Sequence, residues 1–175
     1  MKDRFILGFS EVEVPFRGFR GIKNIKYMNK KLTIALVAHD QRKADMVEWA
    51  VFNAETLSKH TLICTGTTGG LIKEAFEEKG VNAEIICMNS GPLGGDAEIA
   101  ALVVRHQVNL AIFLIDDLSP QPHEADIQML LRQCRIHNVP IACNRYSADL
   151  MITSTLWDNN DYVPSTPKYV KFSRE

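Results

Sequence analysis

A glycine-rich loop that ends in an aspartate is the segment of this chain whose residues best suit chemistry. It runs from Ser90 to Asp96 as Ser-Gly-Pro-Leu-Gly-Gly-Asp and follows the apolar run 84–88. Glycines let bare backbone N–H groups approach an anion closely, and the aspartate places a carboxylate beside that anion. A phosphate cradle and a base in one loop would suit a reaction on a phosphorylated metabolite. The alternative is an ordinary tight turn in which Asp96 caps the next helix.

Three further segments add hydrogen-bond donors and acid–base groups. Residues 65–70 read Thr-Gly-Thr-Thr-Gly-Gly, and hydroxyls and free amides at a helix start suit an oxyanion. His39 directly follows an apolar run, with Lys43 one helical turn later to neutralise a phosphate. His123 lies at a predicted helix start, which favours a neutral imidazole that could polarise a carbonyl. Helix caps, a solvated lysine and surface histidines are the alternatives.

The acidic residues of these segments also allow a different interpretation. Asp96, Asp116, Asp117 and Asp126 could hold a divalent metal ion, because several carboxylates at one sheet edge bind Mg²⁺ in some folds. The phosphate-binding segments already offer amide and lysine donors, however. We therefore predict chemistry without a metal.

The elements that must position these residues alternate from residue 32 onward. Apolar runs predict five buried strands, at 32–38, 61–64, 84–88, 110–115 and 139–143. Apolar helical faces predict helices at 47–54, 71–78, 99–103, 127–134 and 148–153. Repeated β–α units predict an α/β fold, a three-layer α/β/α sandwich around a mostly parallel five-stranded sheet with a flavodoxin-like winding. All the polar segments follow strands, so they should share the carboxyl edge, where open α/β sheets bind ligands.

Composition limits the class of protein and its partners. The chain has 175 residues, 46% of them hydrophobic, and a net charge of −1, which suits a globular domain with a real core. It has neither a signal-peptide pattern nor an apolar run near the roughly 20 residues that span a bilayer. We therefore expect a cytoplasmic protein without a membrane partner. Eight of the basic residues lie in 1–31, which leaves the main body acidic and argues against a nucleic-acid partner.

We predict three segments along the chain. Residues 1–30 form an N-terminal extension, expected to be loosely ordered, and Met28 within it is a candidate start. Residues 31–155 form the folded domain, and 156–175 form a C-terminal tail with irregular, proline-containing sequence.

Four motifs in this order resemble the methylglyoxal synthase family. They are Ala38-His39-Asp40-x-x-Lys43, Thr65-Gly66-Thr67-Thr68-Gly69, Ser90-Gly91-Pro92-Leu93-Gly94-Gly95-Asp96 and Pro122-His123-x-x-Asp126. The strand ending at Asp116 and the segment 144–154 are also similar to that family, so the resemblance covers roughly 32–155. It implies a lyase that converts dihydroxyacetone phosphate into methylglyoxal and inorganic phosphate, in a glycolytic bypass. It also implies a homohexamer, no cofactor and no metal, with inorganic phosphate as product and candidate inhibitor.

The resemblance also assigns roles to individual positions. Asp96 would remove a proton beside the ketone, His123 would act on the carbonyl, Asp126 would support His123, and Asp116 would line the same site. The implied contacts with phosphate and substrate come from His39, Lys43, Thr65, Gly66, Thr67, Thr68, Ser90 and Gly91.

One departure from the family and two other functions remain open. The family usually carries an arginine in its C-terminal tail, whereas here only Arg174 comes late, which puts phosphate regulation between subunits in doubt. The main alternative is a non-catalytic regulatory module of the same fold that binds a phosphorylated metabolite or nucleotide. A metal-dependent phosphohydrolase is the third function, and it predicts that a chelator abolishes activity.

Overall fold

The computed structural model describes residues 31–120 and 122–156. The predicted extension 1–30 and the tail from residue 157 onward lie outside the described residues. The strands are β1 (Thr33–Ala38), β2 (Thr61–Cys64), β3 (Glu84–Cys87), β4 (Leu110–Leu114) and β5 (Ile141–Ala142). The helices are α1 (Lys43–Phe52), α2 (Ala54–Leu57), α3 (Gly66–Glu78), α4 (Gly95–Val104), α5 (Glu124–Ile136) and α6 (Arg145–Ile152). Short 3-10 turns at Asp40–Arg42 and Gly91–Leu93 precede α1 and α4.

The five strands form one parallel sheet in the order β3-β2-β1-β4-β5. β1 lies at the centre, with Ala35 in register with Ile63 of β2 and Ala111 of β4. The prediction of a central five-stranded sheet is confirmed, and every strand pair is parallel. The flavodoxin-like winding is wrong, because that order is 2-1-3-4-5. Strand order depends on the side to which each crossover turns, and hydrophobic periodicity does not record that.

Helices cover both faces of the sheet, which confirms the predicted three layers. One apolar core packs α1, α2, α3 and α6 on one face, around Trp49 and Phe76. The other core packs α4 and α5 on the opposite face, around Phe113 and Ile99. β1 contributes to both cores, since Leu36 faces the first and Val37 the second. The central strand therefore holds the residue that follows it, His39, in a fixed position.

Element boundaries differ from the predicted ones mainly at the glycine-rich segment 65–70. The sequence predicts a loop there, whereas α3 begins at Gly66 and only Thr65 precedes it. A side chain at Gly69 would lie 2.6 Å from the Cys87 sulfur and 2.9 Å from Cys64 Cβ. The glycine therefore lets the first turn of α3 pack directly on the sheet.

The end of α3 follows the prediction. Gly80 lies just past its last turn in the left-handed region, with φ of 68°, as a helix-terminating glycine should. Within residues 31–120 and 122–156, each helix is too short or too polar to cross a membrane.

Candidate active site

The polar segments meet in one cavity at the carboxyl edge of the sheet. Its volume is about 330 Å³, and it lies where β1 and β4 run side by side. That is the point at which the chain switches from one side of the sheet to the other, the usual ligand position in open α/β folds. Eight predicted site residues line the cavity: His39, Lys43, Thr65, Thr67, Ser90, Gly91, Asp96 and His123.

Asp96 and His123 form the polar centre of the cavity. Asp96 Oδ2 lies 3.3 Å from His123 Nε2, and the two side chains are only 1% and 12% exposed. In the part of the chain that the structure describes, neither carboxylate oxygen of Asp96 has a hydrogen-bond partner, and neither has His123 Nδ1. Buried polar atoms are nearly always paired. The unpaired atoms therefore mark a place prepared for the polar groups of a ligand.

Burial changes the acidity of Asp96. Burial raises the pKa of this carboxyl above its ordinary value, whereas the nearby His123 and His39 oppose the rise and Asp126 adds to it. A carboxylate with a raised pKa is a stronger base than an ordinary aspartate, and its pKa lies closer to neutral pH. The environment of Asp96 therefore suits proton abstraction.

Asp96 does not act as a helix cap, which was the alternative interpretation of this residue. The N-cap of α4 is Gly94, with φ of 93°, and Asp96 is the second residue of the helix. Its side chain makes no capping bond. The left-handed Gly94 turns the chain so that the first turn of α4 directs the Asp96 carboxylate into the cavity.

Gly91 leaves room for this pair. A Cβ atom at position 91 would lie 2.9 Å from His123 Nε2 and 3.2 Å from Asp96 Oδ2. Both contacts are shorter than ordinary van der Waals separation. The glycine therefore brings bare backbone against the two polar side chains.

His39 is held as a hydrogen-bond donor toward the cavity. Its Nδ1 accepts a 2.9 Å bond from the backbone N–H of Asp116, so in the neutral ring the proton resides on Nε2. The side chain is buried at 5% exposure, and Phe113 packs edge-on against it at 5.1 Å between ring centroids. Nε2 is buried without a partner among the described residues. A ligand oxygen is the natural acceptor for it.

The start of α3 lines one side of the cavity with hydroxyl and amide groups. Thr65 precedes the helix, and its hydroxyl lies 3.3 Å from that of Thr68. The Gly66 N–H bonds to the Asn89 carbonyl at 3.0 Å, and the next amides, of Thr67 and Thr68, lack acceptors within the helix. Thr67 lines the cavity, whereas Gly66 and the fully buried Thr68 lie behind it. Free amides at a helix start favour a phosphate.

Lys43 brings a positive charge to the same cavity. Its ammonium pairs with Asp40 Oδ1 at 2.6 Å, and the lysine side chain is 21% exposed. The bond to Lys43 lowers the pKa of Asp40. Asp40 also lines the cavity. Because Asp40 is itself 87% exposed, Lys43 can turn toward an anion without leaving a carboxylate buried and unpaired.

Two predicted acids lie next to the cavity rather than in it. Asp116 contacts the cavity residue His39 through its backbone N–H, which donates to His39 Nδ1. The Asp116 carboxylate accepts a bond from the Leu118 N–H at 3.1 Å. A bond from Ser119 is the main reason that the pKa of Asp116 is lowered. Asp126 bonds the His123 carbonyl through its backbone N–H at 2.9 Å. Its carboxylate is not bonded to the imidazole, because His123 Nδ1 has no partner among the described residues.

Two contacts that matter to the site were missed at the level of sequence. The first is the contact of Phe113 with His39. Phe113 is the fourth residue of the buried strand β4, and that position near the carboxyl end of the strand could have indicated the contact. Glu98, on α4, binds Asn89 through both carboxylate oxygens, and no pattern in the sequence points to that pair. Within residues 31–120 and 122–156, no group of three or more His, Cys, Asp or Glu side chains could hold a metal ion.

Comparison with known proteins identifies similar chains. A sequence model of the MGS-like domain family matches residues 45–143. A methylglyoxal synthase from Treponema socranskii is 68% identical over 148 residues, which cover 85% of this chain and 94% of that protein. A methylglyoxal synthase from Pseudoalteromonas atlantica is 42% identical over 137 residues, 78% of this chain and 98% of that protein. The crystal structure of methylglyoxal synthase from Elizabethkingia anophelis NUHP1 superposes with a TM-score of 0.72 at 39% identity, covering 83% of this chain and 91% of that one.

Proposed function

The chain belongs to the methylglyoxal synthase family of lyases, and from that premise we propose that it converts dihydroxyacetone phosphate to methylglyoxal and inorganic phosphate. The net reaction isomerises and cleaves the substrate without water, redox partner or cofactor. The observation that carries this proposal is the buried Asp96 carboxylate, which lies 3.3 Å from His123 Nε2 and has no hydrogen bond from the described residues, in a cavity that Lys43 and Thr67 also line. A base and a phosphate cradle in one cavity are what enolisation followed by phosphate elimination needs.

Asp96 removes a proton from the hydroxymethyl carbon of the substrate. The enediolate that results carries its phosphate ester on the carbon next to the new double bond, from which phosphate can be expelled. Proton removal from the other carbon would leave the phosphate on the double bond itself, where expulsion is unfavourable. The raised pKa of Asp96, caused by burial, gives the base strength that an ordinary aspartate lacks.

The two histidines donate hydrogen bonds to different oxygens of the substrate. His123 donates to this oxygen as its negative charge develops, and Asp126 supports the start of α5 through its bond to the His123 carbonyl. His39 donates from Nε2 to another substrate oxygen, and the backbone of Asp116 fixes its tautomer. Prearranged donors of this kind supply a large part of the stabilisation of an oxyanion.

Phosphate leaves toward the start of α3. As the C–O bond breaks, the electron pair of the enediolate shifts to form the enol of methylglyoxal, and charge accumulates on the departing phosphate. The free amides of Thr67 and Thr68, the Thr65 hydroxyl and the Lys43 ammonium stabilise that charge. Ser90 and Gly91 bind the middle of the substrate. The free enol then takes a proton on carbon to give methylglyoxal.

The test supplies dihydroxyacetone phosphate in chelator-treated buffer and measures methylglyoxal and inorganic phosphate. Equal amounts of both products support the proposal. Product formation that stops with chelator would indicate the metal-dependent phosphohydrolase instead. Binding of the phosphorylated compound without any product would indicate the regulatory module.

We also propose the setting in which this reaction occurs. The chain acts in the cytoplasm as a homohexamer, in a glycolytic bypass that releases phosphate from triose phosphate. Inorganic phosphate, as product, competes for the anion-binding end of the cavity. Neither nucleic acid nor membrane is a partner. Sedimentation of the purified protein measures the assembly, and inhibition of initial rates by added phosphate measures the competition.

A further inference from the structure

We infer that Glu98 is a positioning residue that holds the catalytic loop through Asn89. Glu98 Oε2 accepts the backbone N–H of Asn89 at 2.9 Å, and Oε1 accepts its side-chain amide at 2.7 Å. Both oxygens of one carboxylate are therefore bound to one residue, nine positions earlier in the chain. Two charge-assisted bonds in a fixed geometry restrict orientation more than one bond does. This inference rests on the proposed function.

Asn89 is the point at which three parts of the site meet. Its carbonyl accepts the N–H of Gly66, the first residue of α3, at 3.0 Å. The same carbonyl lies against Gly95, where an added Cβ would be 2.0 Å from the oxygen. The next residue, Ser90, lines the cavity, and its carbonyl accepts the Gly95 N–H at 3.0 Å. A shift of Asn89 would therefore move the substrate loop and the start of α3 relative to each other.

Glu98 connects this junction to the helix that carries the base. It lies two residues after Asp96 on α4, does not line the cavity, and is partly exposed. Its effect on the reaction must therefore pass through Asn89. The Glu98–Asn89 pair fixes the distance between the Ser90–Gly91 backbone and the Asp96 carboxylate, on which proton abstraction depends. Misplacement of about 1 Å can cost roughly 100-fold in rate.

The charge of Glu98 matters as well as its length. Asn89 presents two donors, and a carboxylate accepts both. The amide of a glutamine has one oxygen and would set its NH₂ group against the second donor. Glu98→Gln should therefore keep part of the contact, and Glu98→Ala should keep none.

The experiment measures kcat, KM and melting temperature for Glu98→Ala, Glu98→Gln, Asn89→Ala and the Glu98→Ala/Asn89→Ala double variant. We expect Glu98→Ala to lower kcat about 10- to 100-fold, as loss of a supporting contact commonly does. Asn89→Ala keeps its backbone N–H and should lose less, and Glu98→Gln should lie between wild type and Glu98→Ala. The double variant should be no worse than Glu98→Ala, because the carboxylate acts only through Asn89.

Glu48→Ala is the matched control. Glu48 also uses both carboxylate oxygens to join two segments, since it pairs with the Arg145 guanidinium at 3.2 and 3.3 Å, but it lies away from the cavity. Its kcat should equal that of wild type. A Glu98→Ala enzyme with wild-type kcat, or with a loss of kcat that Glu48→Ala matches, would overturn the inference, and so would a double variant whose losses multiply.

A second measurement separates this inference from the proposed function. If wild type makes no methylglyoxal, the proposed reaction fails, and inorganic phosphate binding by calorimetry then tests the junction alone. Asn89→Ala serves in this assay if Glu98→Ala does not fold. A several-fold weaker affinity for phosphate in these variants, with Glu48→Ala unchanged, supports the inference, and unchanged affinity in all of them overturns it.

Discussion

Replacing Asp96 with asparagine should greatly lower turnover while making the folded protein more stable. The substitution keeps the shape of the side chain and removes its charge. Loss of a general base typically costs 10²- to 10⁴-fold in kcat, and we expect the upper part of that range because, among the described residues, no other carboxylate lines the buried end of the cavity.

The gain in stability follows from the burial of this charge. Burial raises the pKa of Asp96 in the folded protein, so the native state binds the proton more tightly than the unfolded chain does. The stability that this proton binding contributes is therefore fully present below the pKa of Asp96 in the unfolded chain. It is lost as pH rises through the pKa of Asp96 in the folded protein. In its ionised form this carboxylate is buried without a hydrogen bond from any described residue, a situation that costs about 1–3 kcal/mol. Asparagine avoids part of that cost, so we expect a gain of about 1 kcal/mol, or roughly 3 °C in melting temperature.

The assay combines methylglyoxal production with thermal unfolding at pH 7 and at pH 4. The stability difference between Asp96→Asn and wild type should be smaller at pH 4 than at pH 7, because lower pH favours the neutral form of the wild-type carboxyl. Asp45→Asn is the control, since Asp45 also lies in the first turn of its helix but pairs with Arg42 outside the cavity. That variant should retain turnover and gain no stability. An Asp96→Asn protein that keeps its turnover, or that unfolds at a lower temperature than wild type at pH 7, would refute this reasoning.

Three further predictions test the surroundings of Asp96. The value of kcat/KM should rise with pH as Asp96 loses its proton, and because burial raises the pKa of Asp96, this rise should occur at higher pH than for an ordinary aspartate. A pH–rate profile measures the position of the rise. A rise in the ordinary range of an aspartate would contradict the prediction. Gly91→Ala should lower kcat at least tenfold, since its Cβ would lie 2.9 Å from His123 Nε2. Gly70→Ala, which has open space around it, should be neutral or more stable by up to about 1 kcal/mol. Lys43→Met should raise KM about 10- to 100-fold, the value of a charge-assisted hydrogen bond. Lys59→Met, which loses an ion pair with Glu55 of α2, should leave KM unchanged.

The convergence of the site residues could be predicted from the sequence because it follows from the sheet. His39, Thr65 and Ser90 each come just after a strand, and parallel strands end at a common edge. The alternation of apolar runs and helical patterns was enough to infer parallel strands. The three layers and the position of the cavity at the carboxyl edge follow from the same argument, whereas its place between β1 and β4 depends on the strand order.

The orientation of individual side chains in the site could not be predicted, because hydrophobic periodicity does not determine it. Asp116 and Asp126 also follow strands, as Asp96 does, yet neither of them lines the cavity. Asp116 instead bonds within its own loop, to Leu118 N–H. Local turn geometry decides whether a carboxylate faces the cavity or bonds its own loop. For Asp96 the deciding feature is the left-handed Gly94 that precedes it. The Glu98–Asn89 pair is hidden for the same reason, since it depends on how α4 returns past the end of β3.

Among the described residues, most of the buried polar atoms without hydrogen-bond partners lie in the cavity. They break the rule that buried polar atoms are paired, and the proposed reaction gives a reason for this exception. Within residues 31–120 and 122–156, the buried side-chain atoms without partners are Arg42 Nε and four atoms of the cavity: His39 Nε2, both Asp96 oxygens and His123 Nδ1. A sequence under selection for stability alone would pair or remove them, because each costs about 1–3 kcal/mol. Apolar packing on both faces of the sheet offsets that cost.

The proposed substrate would satisfy these atoms, since its ketone oxygen accepts from an imidazole and its hydroxyl donates to a carboxylate. Part of the cost would then be recovered on binding, and more in the transition state as charge develops on the ketone oxygen. A variant that removes the cost in advance, such as Asp96→Asn, should therefore gain stability and lose the reaction together.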